Sequence, residues 1–209
     1  MPGRLIVSDH PLVAEKLALL RDKRTSPRDF REAMSAASAL LGYEVLKGVR
    51  TRKAVVHTPL QRAKVLVPDL SITLVAVLRA GLGMLDGVLS LVPSARIGHI
   101  GLYRNEETLN PVRYYVRLPR DLKESFVVVC DPMLATGGSA AEAIRIVKTD
   151  GARHIVLLSL IASKTGVRRV HSVHPDVPIF TAGLDAKLNN KGYILPGLGD
   201  AGDRLFNTF

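Results

Sequence analysis

The run Phe126-Val127-Val128-Val129-Cys130-Asp131-Pro132-Met133-Leu134-Ala135-Thr136-Gly137-Gly138-Ser139 ends an apolar strand in an acid and then leads into the helical pattern Ala140 to Lys148. Paired glycines let the backbone come close to a ligand, and a helix start offers unpaired N–H groups and a positive dipole to an anion. Thr136 and Ser139 add hydroxyl donors. Asp131 is a poor neighbour for a phosphate, but a carboxylate accepts well from vicinal hydroxyls, so the loop suits a sugar phosphate.

Three further loops are candidates for chemistry. Arg79-Ala80-Gly81-Leu82-Gly83-Met84 follows the apolar run Ile72 to Leu78. Its Gly-x-Gly hints at a dinucleotide fingerprint, but Asp86 stands where the third glycine belongs and no suitable acid ends the next strand, which excludes that reading. Leu102 to Tyr115 is polar at its centre, Arg104-Asn105-Glu106-Glu107, between strand-like flanks, and reads as a long hairpin with a mobile tip. Glu106 and Glu107 are expected to be simply solvated. The stretch Tyr193 to Arg204 holds so many glycines, plus Pro196, that a shaped loop is expected there in place of a helix or strand.

The elements that position these loops follow from periodicity. Leu12 to Arg21 is helical; Ser26-Pro27 caps a long apolar-striped helix from Arg28 to Leu46. Ala54 to His57 and Lys64 to Val67 form short strands around a turn. Ile72 to Leu78, Ile97 to Leu102, Phe126 to Cys130, Ile155 to Leu160 and Val177 to Ala182 are strand-length apolar runs, most of them separated by helical patterns. Buried strands alternating with helices predict an α/β fold with a mostly parallel sheet flanked by helices, binding ligands beyond the carboxyl ends of its strands. The 209 residues form one domain, with a helical arm at about 11–47, a hairpin at about 102–117 and the C-terminal loop at about 193–204.

Composition narrows the classes. With 47% hydrophobic and 23% charged residues, disordered, collagen-like and coiled-coil readings fail. The one cysteine, Cys130, reads as an inert core thiol and excludes an internal disulfide. His171-x-x-His174 lacks further ligands and reads as a surface or locally bonded pair. The N-terminus does not read as a signal peptide and no run is long enough to span a membrane, so a cytoplasmic protein with no membrane partner is expected. Lys+Arg exceeds Asp+Glu by 29 to 19, a net charge of +10 that points to an anionic partner. The densest basic clusters, Arg50 to Lys53 and Arg168-Arg169, are too short to argue for RNA and read as solvated faces.

The Asp131 to Ser139 segment resembles the phosphoribosyl pyrophosphate (PRPP) motif of type I phosphoribosyltransferases, and most closely that of the uracil-specific family. The resemblance spans nearly the whole chain through four motifs in the family's order. It implies the type I phosphoribosyltransferase fold, with the hairpin as a flexible hood and the C-terminal loop as a base-binding loop. It implies transfer of the phosphoribosyl group to N1 of uracil, giving UMP and pyrophosphate in pyrimidine salvage. By that resemblance Asp131 faces the ribose hydroxyls, Pro132, Met133 and Leu134 line the PRPP site, and Ala135, Thr136, Gly137, Gly138 and Ser139 cradle the 5-phosphate. Arg79, with the loop's glycine N–H groups beside it, and Arg104 on the hood address the diphosphate. Ile194, Gly199, Asp200 and Ala201 read uracil, whose O2, N3–H and O4 form an acceptor-donor-acceptor edge that main-chain N–H, C=O and N–H can match. Asp200 also faces PRPP and is a candidate general base.

Many members of the superfamily carry two adjacent acids where this chain has Cys130-Asp131, so no metal ligand is assigned directly and Mg2+ is expected to be held through PRPP and water. A homodimer or higher homo-oligomer is expected, and GTP is an allosteric activator in some members. Two alternatives stay open on sequence alone: an RNA-binding pyrimidine-operon regulator of the same fold, and a transferase for another base. A steep salt dependence of binding to an RNA hairpin marks the first, and the C-terminal loop discriminates the second.

Overall fold

The structure, a computed structural model, describes residues 3–104 and 111–208. The chain begins with β1 (Leu5–Val7) and two helices, α1 (Pro11–Arg21) and α2 (Pro27–Leu46). Both helices start on a proline, whose missing N–H leaves nothing unpaired in a first turn. Both are also capped: His10 Nδ1 accepts from Leu12 N–H, and Ser26 Oγ accepts from Asp29 N–H. A separate antiparallel hairpin follows, β2 (Thr51–His57) and β3 (Arg62–Pro68), longer than the short strands expected there. The body continues with β4 (Ser71–Leu78), α3 (Leu82–Leu89), β5 (Arg96–Arg104), β6 (Pro111–Arg117), β7 (Ser125–Cys130) and the two-residue β8 (Met133–Leu134). Then come α4 (Gly138–Thr149), β9 (His154–Ser163), α5 (Lys164–Val173) and β10 (Ile179–Asp185). A small hairpin, β11 (Lys187–Leu188) with β12 (Ile194–Leu195), and the short helix α6 (Ala201–Phe206) follow.

The main sheet runs β1-β10-β9-β7-β4-β5-β6, with β8 beside β9. Its pairs are parallel except β5–β6. Successive side chains on a strand point to opposite faces, so a strand covered on both sides has no polar position to spare. β7 shows this: all six of its residues are buried, and its one polar side chain apart from the thiol, Ser125, is hydrogen-bonded to Ser71 O and Thr73 Oγ1. Val128 and Cys130 join Leu74 and Ala76 in a core against α1, α2, α3 and α6, while Val127 and Val129 join Val75 and Val77 in a second core against α4 and α5. The expected helical arm is therefore a layer of the body, with Val13, Leu17, Phe30 and Met34 in the first core. Leu5 to Val7, which carried no strand assignment, pairs in parallel with Ile179 to Thr181.

The layout puts a crevice at one place. β4 continues through α3 to β5 on one side; its neighbour β7 continues through α4 to β9 on the other. Connections that diverge from adjacent strands leave room beyond their carboxyl ends. Arg79 follows β4 there, and Asp131 follows β7.

Candidate active site

The loop after β7 is held from behind by β9 and α5. Asp131 N–H donates to Leu158 O at 3.1 Å, and Pro132 O accepts from Leu160 and Ile161 N–H, each at 3.1 Å. Ser163 Oγ donates to Ala135 O at 2.6 Å while accepting from Gly166 N–H at 2.9 Å, a clamp the sequence reading missed. Gly137 needs to be glycine: its φ is +80°, and a Cβ there would sit 2.7 Å from Gly166 O. It is the N-cap of α4 and no side chain caps that helix, which leaves the first N–H groups of α4 to an anion. A cavity of about 230 Å³ lies over this loop. Asp131, Met133, Leu134, Ala135, Thr136, Gly137, Gly138 and Ser139 line it, with Arg79, Ala80, Leu102 and Gly192 opposite. Pro132 lines the adjoining cavity.

Arg79 enters across a cis Leu78–Arg79 peptide. Its Nη2 donates to Asp203 Oδ1 at 3.1 Å and its guanidinium lies 5.7 Å from the centroid of the Phe206 ring. The glycines beside it do another job than expected. Gly81 N–H donates to Val77 O at 2.9 Å and Gly83 N–H to Ala80 O at 3.2 Å, so neither donor is left for a diphosphate. Both are packing glycines: a Cβ on Gly81 would meet Cys130 O at 2.5 Å, and one on Gly83 would meet Met34 Sδ at 2.4 Å.

The C-terminal segment corrects a second expectation, because it holds regular structure. Ile194 and Leu195 pair with Leu188 and Lys187, and α6 starts at Ala201. Gly197 and Gly199 adopt φ of +62° and +82°, turning the chain, and Asp200 Oδ1 accepts from Asp203 N–H at 2.9 Å to cap α6. Leu205 then enters the first core, which stabilises a helix too short to persist alone. A cavity of about 410 Å³ lies over this segment, lined by Ile194, Gly199, Asp200, Ala201 and Gly202. Asp131, Pro132, Met133, Ala80 and Ala135 close its other side. Tyr193, the first residue of the expected C-terminal loop, completes it together with Lys191 and Gly192 from the β11–β12 turn, which were absent from the sequence reading.

Burial pushes the Asp131 carboxyl up to about 7, against a weak opposing hydrogen bond from Met133 N–H at 3.4 Å. The neighbouring Cys130 thiol is buried in its strand and pushed up to about 12, as an inert core thiol should be. His174 departs from the surface or local pairing expected of it: it is buried, its Nε2 is 2.9 Å from Ala141 O, and burial lowers its pKa.

The family model for uracil phosphoribosyltransferase matches residues 7–208. The chain belongs to that family. A uracil phosphoribosyltransferase of Bacillus cytotoxicus is 50% identical over 207 residues, covering 99% of each chain. A solved protein of Aquifex aeolicus superposes with a TM-score of 0.93 at 38% identity, covering 98% of each chain. A hypoxanthine phosphoribosyltransferase of Trypanosoma cruzi is similar in fold alone, with a TM-score of 0.51 at 10% identity over 76% of this chain and 75% of that one.

Set beside a uracil phosphoribosyltransferase frame, the predicted residues fall into two groups. Arg79, Asp131 and the loop to Ser139 gather at one cavity, and Ile194, Gly199, Asp200 and Ala201 at the other. Arg104 ends β5, two residues after the cavity-lining Leu102, in register with Pro111 of β6. The hood tip, including Glu106 and Glu107, lies outside the described residues. No metal-binding cluster of three or more His, Cys, Asp or Glu side chains occurs among the described residues, and none of their helices is long and apolar enough to cross a membrane.

Proposed function

We propose that this chain makes UMP and pyrophosphate from uracil and PRPP, with the two substrates meeting at Asp131. The observation that carries this is shared lining: Asp131, Ala80, Met133, Ala135 and Gly192 belong to both cavities. The first cavity takes PRPP, its 5-phosphate on Ala135 to Ser139 and the α4 start, its ribose hydroxyls on Asp131, its diphosphate toward Arg79 and Arg104. The second takes uracil against the main chain of Ile194 and Gly199 to Ala201. The anomeric carbon then lies at the common wall, where its bond to the diphosphate breaks as N1 of uracil forms the new one from the opposite face. Little covalent chemistry is asked of the protein; it supplies position and charge. Asp200, which lines the uracil cavity and not the other, is the proposed acceptor of the N1 proton.

Mg2+ fits this arrangement. Asp131 and Asp200 line one cavity, and magnesium favours one or two carboxylates combined with substrate phosphates and water. Bound there, it would neutralise charge on the departing diphosphate. Exposed Val55, Leu60 and Leu66 on the β2–β3 hairpin support a homodimer or larger assembly, and the lone buried cysteine suits a cytoplasmic setting. GTP activation is carried by the resemblance and is tested by adding GTP to the assay. The deciding experiment mixes the protein with PRPP, Mg2+ and each free base in turn. UMP from uracil, and no nucleotide from adenine, guanine or hypoxanthine, is the expected result; a purine nucleotide as main product overturns the reading.

A further inference from the structure

The segment that lines the uracil cavity is anchored by two charged residues that lie outside it. Asp185 ends β10 and is 8% exposed; Arg21 ends α1. The guanidinium grips the carboxylate as a fork, Nη1 to Oδ2 at 2.9 Å and Nη2 to Oδ1 at 2.8 Å. The same two side chains also hold both polar groups of Gly197. Its N–H donates to Asp185 Oδ2 at 2.9 Å, and its carbonyl accepts from Arg21 Nη1 at 2.8 Å. Gly197 itself offers no side chain for anchoring, and a Cβ would lie 2.1 Å from Ile194 O. Its neighbour Pro196 has no N–H to donate. The turn between Ile194 and Gly199 is thus fixed through its backbone.

We propose that Arg21 and Asp185 are positioning residues for base recognition, holding the main-chain edge of Ile194 and Gly199 to Ala201 in the geometry that reads uracil. The proposal rests on the reading of residues 194–201 as the base site. A main-chain edge selects one base only if it stays rigid, since a loop free to move re-pairs with the wrong one and loses affinity to ordering. A charged fork with both lone-pair directions used is the side-chain arrangement best suited to hold a peptide group in one orientation.

The test uses Asp185→Asn and the milder Arg21→Lys in the full chain, with Gly199→Pro as a control on the base site. Hydrogen bonds to charged groups support effects of roughly ten- to a hundredfold, so KM for uracil is expected to rise by about that factor. KM for PRPP should stay within about twofold, and preference for uracil over cytosine should fall by about tenfold. A purely structural role would reduce active enzyme while leaving both KM values and the base preference of the remainder unchanged, and that result overturns the proposal. If Asp185→Asn does not fold, Arg21→Lys is read by the same split. If Gly199→Pro raises KM for uracil while neither pair variant does, the positioning role fails and the base site stands. If Gly199→Pro has no effect either, the base site lies elsewhere.

Discussion

Replacing Asp131 by Asn should weaken catalysis and strengthen the fold at the same time. The carboxyl is half-buried on the wall common to both cavities, and burial holds it at about 7 against an ordinary 3.8. Ionising such a group costs at most about 4 kcal/mol, and water reaching it from the open cavities trims this to about 1–2 kcal/mol. The sign follows from proton counting. Below about pH 4 both folded and unfolded chains hold the proton; between about 4 and 7 only the folded chain does, so stability is lost as pH rises through that window. Asn carries no charge to bury, so its advantage over the parent should grow from about pH 4 to 7 and stay level above. At pH 8 it amounts to about 1–2 kcal/mol, a rise in melting temperature of roughly 2–8 °C for a domain of this size. Turnover should move the other way, because the amide keeps the shape and loses the proposed charge-assisted contact to the ribose. That contact supports about 1.5–3 kcal/mol, or roughly ten- to a hundredfold in kcat/KM for PRPP. Thermal unfolding at pH 5 and 8, and initial rates against PRPP, decide the matter. Parental kcat/KM would remove Asp131 from the ribose; an advantage that does not change with pH would refute the burial argument.

Other consequences are as direct. Arg79→Ala and Arg104→Ala should each raise KM for PRPP far more than KM for uracil, with lysine restoring only part of the loss because an ammonium lacks the guanidinium fork; equal effects on both substrates would unseat these assignments. Cytosine presents the wrong groups at two positions of the uracil edge, and each buried mismatch costs about 1–3 kcal/mol, so uracil should be preferred by a hundredfold or more while 5-fluorouracil is used; comparable rates on cytosine would refute main-chain reading. Gly81→Ala places a methyl 2.5 Å from Cys130 O, backbone that cannot swing aside, and should cost about 1–3 kcal/mol in urea unfolding. An unchanged midpoint would show that the β4 and β7 ends are not packed as described.

What was legible in the sequence divides along physical lines. The central strands announce themselves because burial on both faces leaves only apolar and β-branched choices, as in Phe126 to Cys130. The loop between β7 and α4 was legible as a cavity-lining connection because an acid, two glycines and two hydroxyls stand in register with a strand and a helix. Gly81 and Gly83 were misread because close packing and close ligand approach leave the same mark, a missing side chain. Helix α6 was hidden because its glycine and the turns before it argue against regularity, while its support, the Asp200 cap and the burial of Leu205, is a tertiary matter. Ser163 and Arg21 bond partners 28 and 164 residues away, and no local pattern records such a distance.

The ties between Arg21 and the Gly197 turn, and between Arg204 and Asp22 O, join the front of the chain to a segment more than 160 residues later. During synthesis every strand of the main sheet precedes that segment. The loop from Asp131 to Ser139, proposed to hold the sugar phosphate, can therefore assemble while the segment proposed to read the base does not yet exist. Closing so long a loop is entropically slow and comes after local structure has formed. On the proposed reading, a growing polypeptide would thus acquire its anion site before it acquires selectivity, and its discrimination between bases would be the last property to mature.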